Sequence, residues 1–153
     1  MSLLEQELND LSQLRGKTVL VVEDDPLLQK VFKGFLERMT RGDKPIVAGC
    51  QVFAEPKKLL DFIGSLQDVS QYIVISDLEM PGMNGLETLR RAWSIHADLP
   101  MLIATGADIK EARGYWEKLF SAKSGDGDKY VFDKTRVIGD LIHHLASALP
   151  CPN

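Results

Sequence analysis

The sequence has few of the features that mark metal-binding, disulfide-bonded or nucleic-acid-binding proteins. Its 153 residues include two cysteines, Cys50 and Cys151, with no Cys-x-x-Cys motif and no histidine at ligand spacing. This pattern does not favour a zinc site or a redox pair. Basic residues are also in the minority, since 18 Lys and Arg against 22 Asp and Glu leave a net charge of −4. Without a clustered basic stripe to neutralise phosphates, we expect no direct binding to nucleic acid.

Long apolar segments are missing as well. The first twenty residues carry Glu5, Glu7 and Asp10 where a signal peptide would have a basic start followed by an apolar block. The longest apolar runs have the length of a strand, so we expect no membrane span. A reducing, cytoplasmic location with free thiols follows as the default. The chain, 44% hydrophobic and 26% charged, is long enough to bury the core of one soluble domain without disulfides or metal.

Apolar runs of strand length alternate along the chain with segments of helical period. Most of the runs are continuously apolar and β-branched, which is typical of strands covered on both faces of a parallel sheet. The alternation therefore predicts an α/β domain with a parallel sheet. The predicted strands are residues 18–22, 46–48, 72–75, 101–104 and 130–132.

The clearest predicted helix begins at Pro26, with Asp25 as its cap. Shorter stripes that begin at Leu59, Leu86 and Ile138 predict further helices. The apolar stripe of the helix that begins at Pro26 consists of Leu28, Val31, Phe32, Phe35, Leu36 and Met39.

Two regions exceed what a minimal five-strand unit needs. Leucines at positions 4, 8, 11 and 14 predict an additional amphipathic helix within residues 1–16, which Gly16 would end. Residues 121–128 are predicted to form a glycine-rich polar loop ahead of the last strand.

Polar side chains follow the carboxyl ends of four predicted strands. In an open parallel sheet, ligands bind beyond these ends, so the residues there are the candidate site. Carboxylates, one hydroxyl and one ammonium group would meet at a single edge. The residues are Glu23, Asp24 and Asp25 after the first strand, Asp77 and Glu79 after the third, Thr105 and Gly106 after the fourth, and Asp133 and Lys134 after the fifth.

The convergent carboxylates point to a hard metal ion and to phosphate chemistry. Carboxylates held together repel one another unless a cation lies among them. Oxygen ligands without His or Cys favour Mg²⁺, which is usually shared with phosphate. A carboxylate facing a phosphoryl donor can act as a nucleophile and form an acyl phosphate. The oxygens of the transferred group then need partners, which Mg²⁺, the Thr105 hydroxyl and Lys134 could supply.

Four segments resemble the receiver domains of two-component response regulators. They are Val-Val-Glu-Asp-Asp-Pro at 21–26, Ile-Ser-Asp-Leu-Glu-Met-Pro-Gly-Met-Asn-Gly-Leu at 75–86, Ile-Ala-Thr-Gly at 103–106 and Phe-Asp-Lys at 132–134. The resemblance covers about residues 17–149. It implies a flavodoxin-like, doubly wound five-stranded parallel sheet of order 2-1-3-4-5, with helices on both faces. The expected organisation is a helix over 1–16, a receiver domain over 17–150 and a tail over 151–153.

The resemblance also implies roles for single residues. Asp77 would accept a phosphoryl group from a histidine kinase or a phosphotransfer protein. Asp24 would bind Mg²⁺ directly, Glu23 would act through a bound water and Glu79 would contribute its backbone carbonyl. For the phosphoryl group, Thr105 would donate a hydrogen bond, Lys134 would pair with it and Gly106 would leave room for it, while Pro81 and Gly85 would shape the loop after Asp77.

The sequence departs from the family's pattern near its last strand. Thr135 stands where the family usually has a proline, which leaves the turn after Lys134 open. Val131 stands at the usual position of the switch aromatic, with Tyr130 and Phe132 on either side. The connections between Asp24 and Asp77, around 40–45 or 67–71, and between Thr105 and Lys134 are longer than usual.

The expected function is that of a signalling phosphoacceptor and not of an enzyme, apart from self-phosphorylation and autodephosphorylation. No output domain follows residue 150, which predicts a stand-alone receiver that signals to an unknown target by protein contact. The leading helix would pack on the receiver or mediate a homodimer. One alternative is a degenerate receiver that binds partners without phosphorylation. The other is a haloacid-dehalogenase-type phosphatase, but that family has Asp-x-Asp after its first strand, whereas Asp77 and Glu79 follow the third.

Overall fold

A computed structural model describes residues 2–106, 108–120, 126–134, 136 and 141–149. Its elements follow one another as an alternation of helices and strands. In chain order they are α1 (Leu3–Leu14), β1 (Thr18–Val22), α2 (Pro26–Arg38), β2 (Thr40–Arg41), β3 (Lys44–Pro45), β4 (Gly49–Phe53), α3 (Pro56–Gly64), β5 (Tyr72–Asp77), α4 (Gly85–Ile95), β6 (Met101–Thr105), α5 (Ile109–Leu119), a 3₁₀ helix (Asp126–Lys129), β7 (Val131–Asp133) and α6 (Leu141–Ser147).

The main sheet has five parallel strands in the order β4-β1-β5-β6-β7. When these strands are numbered along the chain, the order is 2-1-3-4-5, so the predicted flavodoxin-like fold is confirmed. The three central strands are almost completely buried, as expected for strands covered on both faces. Their predicted positions are confirmed, and β7 begins one residue later than predicted.

The predicted second strand at residues 46–48 is wrong, because the strand β4 starts at Gly49. Ile46 and Val47 are buried, but the Ile46 N–H donates to Met39 O and the pair lies ahead of the strand. Among the described strands, β4 pairs with β1 alone. It is therefore an edge strand, and its partly exposed residues lack the continuous apolar run that the prediction relied on. The preceding residues form the antiparallel β2–β3 hairpin.

Helices cover both faces of the sheet. One core includes Leu59 of α3, Leu89 of α4 and Trp116 of α5. The opposite core includes Leu14 of α1, Phe32 and Leu36 of α2, and Leu145 of α6. Burial of these apolar side chains on both faces is the main favourable contribution that holds the helices against the sheet. No helix in the described part of the chain is long and apolar enough to cross a membrane.

The helix ends follow local signals in the sequence. The Asp25 side chain accepts a hydrogen bond from the Leu27 N–H at the start of α2, which confirms the predicted cap. Phe35 was expected on the buried stripe of this helix, but it is 52% exposed, so the buried stripe, which includes Phe32 and Leu36, is narrower than predicted. Ser2 and Glu5 form a capping box at the start of α1.

The leading helix α1 packs against α6. The residue that ends α1, Leu14, is fully buried in the same core as Leu145. Gly16 follows the helix with a φ of 80°, a left-handed conformation that glycine adopts without strain. Of the predicted C-terminal stripe, Ile138 lies outside the described residues, as does most of the predicted loop at 121–128.

Candidate functional site

The parallel register brings the predicted site residues to one edge of the sheet. Ser76 lies opposite Val22, so Glu23, which follows β1, and Asp77, which ends β5, lie at the same level on neighbouring strands. Asp77 in turn lies opposite Ala104, and Thr105 lies opposite Asp133 in β7. Residues that are far apart in sequence therefore meet at the carboxyl ends of four strands, where open α/β sheets bind ligands.

Lys134 lies between two of the carboxylates. Its Nζ is 3.0 Å from Glu23 Oε2 and 3.2 Å from Asp77 Oδ1. The side chains of Glu23 and Asp77 are 1% and 10% exposed, and that of Lys134 is 16% exposed. Ion pairs with this little solvent are held by hydrogen-bond geometry, and removing either sign would leave a buried charge without compensation.

Burial and neighbouring charges shift the pKa values of this pair. Burial raises the pKa of the Glu23 carboxyl, the Lys134 hydrogen bond opposes that shift, and the charge of Asp77 adds to it. For Lys134, burial by itself lowers the pKa, but the hydrogen bond to Glu23 and the charges of Asp77 and Glu23 raise it above its ordinary value. Lys134 therefore keeps its positive charge at neutral pH and offsets part of the repulsion between the carboxylates.

Three carboxylates form a group that could hold a metal ion. Glu23, Asp24 and Asp77 each place one oxygen within 4.8 Å of the other two. Glu23 and Asp77 are buried, whereas Asp24 is exposed, so the group is open toward solvent on one side. A donor set of oxygen atoms with an open side fits Mg²⁺, which keeps several of its waters. Glu79, the further predicted ligand, follows Asp77 by two residues, and its side chain is exposed.

Local hydrogen bonds fix the position of Glu23. Its Oε1 accepts from the Asp25 N–H at 3.2 Å. Its backbone carbonyl accepts from Gln29 Nε2 at 2.7 Å, and its N–H donates to Phe53 O at 3.0 Å. The role of Gln29 was missed from the sequence, although its position one turn into α2 brings it back over the strand end.

A close backbone contact shapes the loop after Asp77. A Cβ at Gly85 would lie 2.2 Å from the carbonyl oxygen of Asp77, a distance that no side chain can tolerate. The Gly85 N–H donates to Leu78 O at 2.7 Å, and Ser76 Oγ donates to the Asp77 carbonyl at 2.9 Å. Gly82 has a φ of 87° in the same loop. The start of α4 is therefore packed directly on the strand end that carries Asp77.

Thr105 and Gly106 differ in their surroundings. Thr105 is 1% exposed at the end of β6, beside the Asp133 position of β7. Gly106 is exposed, and a Cβ built on it would have no atom within 4 Å. The space beside Gly106 is thus open, as the predicted approach of a phosphoryl group requires. The turn residue Thr135 lies outside the described residues.

The aromatic residues around β7 are packed on both sides. Val131, at the expected switch position, is fully buried. Tyr130 stacks on Trp116 of α5, with ring centroids 4.8 Å apart. The Phe132 ring contacts the His144 ring of α6, with ring centroids 4.7 Å apart. The strand is therefore attached to α5 on one side and to α6 on the other.

The fold and the acidic edge together define a receiver-type α/β domain. The response regulator receiver domain matches residues 19–118. The chain therefore belongs to the receiver domain family of two-component signal transduction, whose members are signalling phosphoacceptors.

Three relatives illustrate the sequence similarity. The chain is 35% identical over 96 residues to the C4-dicarboxylate transport transcriptional regulatory protein DctD of Rhizobium meliloti, covering 58% of this chain and 17% of that protein. It is 31% identical over 98 residues to the probable C4-dicarboxylate response regulator DctR of Priestia megaterium, covering 63% and 39%. It is 28% identical over 102 residues to a protein-glutamate methylesterase/protein-glutamine glutaminase of Clostridium acetobutylicum, covering 67% and 27%. The chain thus spans well under half the length of these relatives.

Solved structures show the same fold. The receiver domain of the histidine kinase CKI1 from Arabidopsis thaliana, complexed with Mg²⁺ and BeF₃⁻, aligns with a TM-score of 0.65 and 20% identity, over 90% of this chain and 91% of that one. A response regulator receiver domain protein from Clostridium thermocellum aligns with a TM-score of 0.66 and 19% identity, over 87% and 94%. Their low identity makes them evidence for the fold alone.

Proposed function

We propose that the chain accepts a phosphoryl group on Asp77 from a histidine kinase or a phosphotransfer protein, with Mg²⁺ as cofactor. The observation that carries this proposal is the position of Lys134 Nζ, 3.2 Å from Asp77 Oδ1 and 3.0 Å from Glu23 Oε2, beside a group of three carboxylates. One nucleophilic carboxylate, a metal-binding group and a single cation are what transfer of a phosphoryl group to a carboxylate needs.

Each residue has a definite part in this proposal. Asp24, Asp77 and the backbone carbonyl of Glu79 would hold Mg²⁺, and Glu23 would act through a bound water. The ion, when bound, neutralises charge that develops on the phosphoryl oxygens. Asp77 would attack phosphorus with one carboxylate oxygen, so that the new P–O bond forms as the P–N bond to the donor histidine breaks and the imidazole leaves.

After transfer, Lys134 exchanges its contact with Asp77 for an oxygen of the phosphoryl group. Thr105 contributes a hydrogen bond from its hydroxyl, and the open space beside Gly106 accommodates the group. Because the two carboxylates and the ammonium are already close, little reorganisation is required at the moment of reaction.

We propose that phosphorylation changes the conformation of the domain and that the domain signals by contact with another protein. We place residues 17–150 in one receiver unit that acts in the cytoplasm. Residues 1–16 then form an added helix that stabilises α6, since α1 packs on it and Leu14 is buried beside Leu145. A change at the end of β7 would reach a partner through α5, which contacts this strand through Arg113, and through α6, whose His144 contacts Phe132.

Incubation with acetyl phosphate and Mg²⁺ tests the proposal. Intact mass spectrometry should show one phosphoryl group on the wild-type protein, which chelation of Mg²⁺ abolishes. Asp77→Asn should incorporate none. Asp25→Asn is a matched control, because it removes a neighbouring negative charge while Asn can still cap α2. It should be phosphorylated like the wild type.

Three results would contradict the proposal. Equal incorporation in wild type and Asp77→Asn would exclude Asp77 as the acceptor. An absence of incorporation together with no saturable Mg²⁺ effect on Trp93 or Trp116 fluorescence would favour a binding module that works without phosphorylation. Sustained turnover of a phosphate monoester would instead favour the phosphatase alternative.

A further inference from the structure

The outer edge of β7 is held by an arginine of α5. Among the described strands, β7 pairs with β6 alone, and the carbonyl of Tyr130, directly ahead of β7, accepts from Ile103 N–H at 2.7 Å. Successive carbonyls of a strand point in opposite directions, so the Val131 carbonyl points away from β6. It accepts a hydrogen bond from Arg113 Nε at 2.9 Å. The arginine thus occupies the place where a further strand would donate.

The segment ahead of β7 is attached to the same turn of α5. A Cβ at Gly127 would lie 2.8 Å from the Arg113 carbonyl oxygen, so the 3₁₀ helix packs directly on the helix backbone. The Gly127 N–H donates to Glu117 Oε2 at 3.0 Å. Arg113 also lies 3.5 Å from Asp128. These contacts join α5, the 3₁₀ helix and β7 into one unit.

This unit ends next to Lys134. The strand is three residues long and ends at Asp133, so the register of β7 against β6 sets the position of the Lys134 backbone. A slip of one residue would move the chain by about 3.3 Å and turn every side chain to the other face of the sheet. Lys134 Nζ could not then remain within 3.2 Å of Asp77.

We propose that Arg113 is a positioning residue, which holds β7 through the Val131 carbonyl and so keeps Lys134 at the carboxylates. The inference rests on the proposed function only where phosphoryl transfer is the readout. The contact with Asp128 contributes little to this role, because the Asp128 side chain is 62% exposed and exposed ion pairs are weak. The bond to the fully buried Val131 is the one that matters.

Three variants separate the two contacts of Arg113. Arg113→Met keeps an unbranched side chain but removes both contacts. Arg113→Gln keeps a donor, because Nε2 of glutamine lies the same number of bonds from Cα as Nε of arginine, and it removes the charge. Asp128→Asn removes the ion pair alone. Thermal unfolding of each variant shows whether it folds.

The first readout is the rate of phosphorylation by acetyl phosphate. Arg113→Met should be slower by about fivefold, as expected for the loss of one hydrogen bond of ordinary net strength. Arg113→Gln should recover most of the rate, and Asp128→Asn should equal the wild type. If Arg113→Met also matches the wild type, or if Asp128→Asn is equally slow, the inference is wrong.

The second readout is Mg²⁺ affinity, which does not depend on phosphorylation. Lys134 competes with the ion for Glu23 and Asp77, so Lys134→Met and Arg113→Met should each tighten Mg²⁺ binding, by about threefold or more for the lysine variant. The double variant should bind like Lys134→Met, because Arg113 acts through the lysine. Additive effects, or weaker Mg²⁺ binding in Arg113→Met, would overturn the inference. A wild type that binds Mg²⁺ but takes up no phosphoryl group would contradict the proposed function and leave this test valid.

Discussion

The acidic side and the basic side of the site are held in different ways. Besides the bond from the Glu23 N–H to Phe53 O, Glu23 and Asp77 are fixed by residues within about eight positions in sequence, namely Asp25, Gln29 and Gly85. Lys134 depends instead on a three-residue edge strand that an arginine of another helix holds from outside. The acidic side is therefore built mainly by local contacts, and the basic side by tertiary packing. Disturbing the loop after Asp77 should displace the carboxylates, whereas disturbing α5 should displace Lys134.

Gly85→Ala should have the largest effect on stability and phosphorylation, because it displaces the backbone that carries Asp77. The added methyl would lie 2.2 Å from the Asp77 carbonyl oxygen, so the strand end or α4 must move. We expect a loss of about 3 kcal/mol in the free energy of unfolding, at the upper end for overpacking. Phosphorylation should be lost, since the backbone of the acceptor residue moves.

Urea unfolding and acetyl phosphate labelling check this prediction. Gly106→Ala is the matched control, since its methyl would meet no atom within 4 Å. Its stability should change by less than about 0.5 kcal/mol. Equal stabilities for the two alanine variants would show that the contact at Gly85 does not constrain the loop.

The same contrast explains what could be predicted from the sequence. The acidic side was predictable because Glu23 and Asp24, like Asp77 and Gly85, lie in continuous segments after apolar strands. The fold was predictable for the same reason, apart from β4, where an edge strand lacks the apolar run of a buried one. Helix α5 was missed, although Asp108 caps it and Glu111 follows at the spacing of a helix start.

The contacts of Arg113 and Gln29 could not be predicted in this way. Arg113 lies 18 residues from Val131, and no periodicity relates the two positions. Such a contact depends on how α5 lies against the sheet edge, which packing decides. Gln29 is six residues from Glu23, but a glutamine on a helix has no pattern that distinguishes it from a solvent-exposed one.

Replacing Lys134 with methionine should produce the next largest effect, and the resulting loss of stability should depend on pH. Burial raises the pKa of Glu23, and Lys134 opposes that shift. A carboxyl whose pKa is raised on folding contributes stability at low pH, and this contribution is lost as the pH rises through the folded-state pKa. In Lys134→Met the opposing bond is gone, so the pKa of Glu23 should rise further and the loss should extend to higher pH.

Metal-free Lys134→Met should therefore lose about 1.5 kcal/mol relative to the wild type at neutral pH, a typical value for a hydrogen bond to a charged group. The difference should shrink toward about pH 4. Thermal unfolding across this range measures it. The double variant Lys134→Met with Glu23→Gln should show a flatter pH dependence. If the double variant keeps the full slope, Glu23 is not the group responsible.

The smallest expected effect concerns the opposite edge of the sheet, where Cys50 lies in β4. Burial raises the pKa of this thiol to about 11 from 9.0, the charge of Glu37 adds to the shift, and Lys33 opposes it. At pH 8 the thiolate fraction should then be roughly 100-fold lower than in the unfolded chain, since each pKa unit is a factor of ten. Because the thiolate is the reactive form, labelling by iodoacetamide should be slow.

Labelling of Cys50 in a Cys151→Ser background can then compare the two edges of the sheet. If the acidic side is rigid and the switch acts through β7, adding Mg²⁺ and beryllofluoride should leave the labelling rate of Cys50 nearly unchanged. The fluorescence of Trp116, which stacks on Tyr130 ahead of β7, should change under the same conditions. A labelling rate that rises in step with the fluorescence change would show that β4 moves with β7, and the division into a side fixed by local contacts and a side held by tertiary packing would then be wrong.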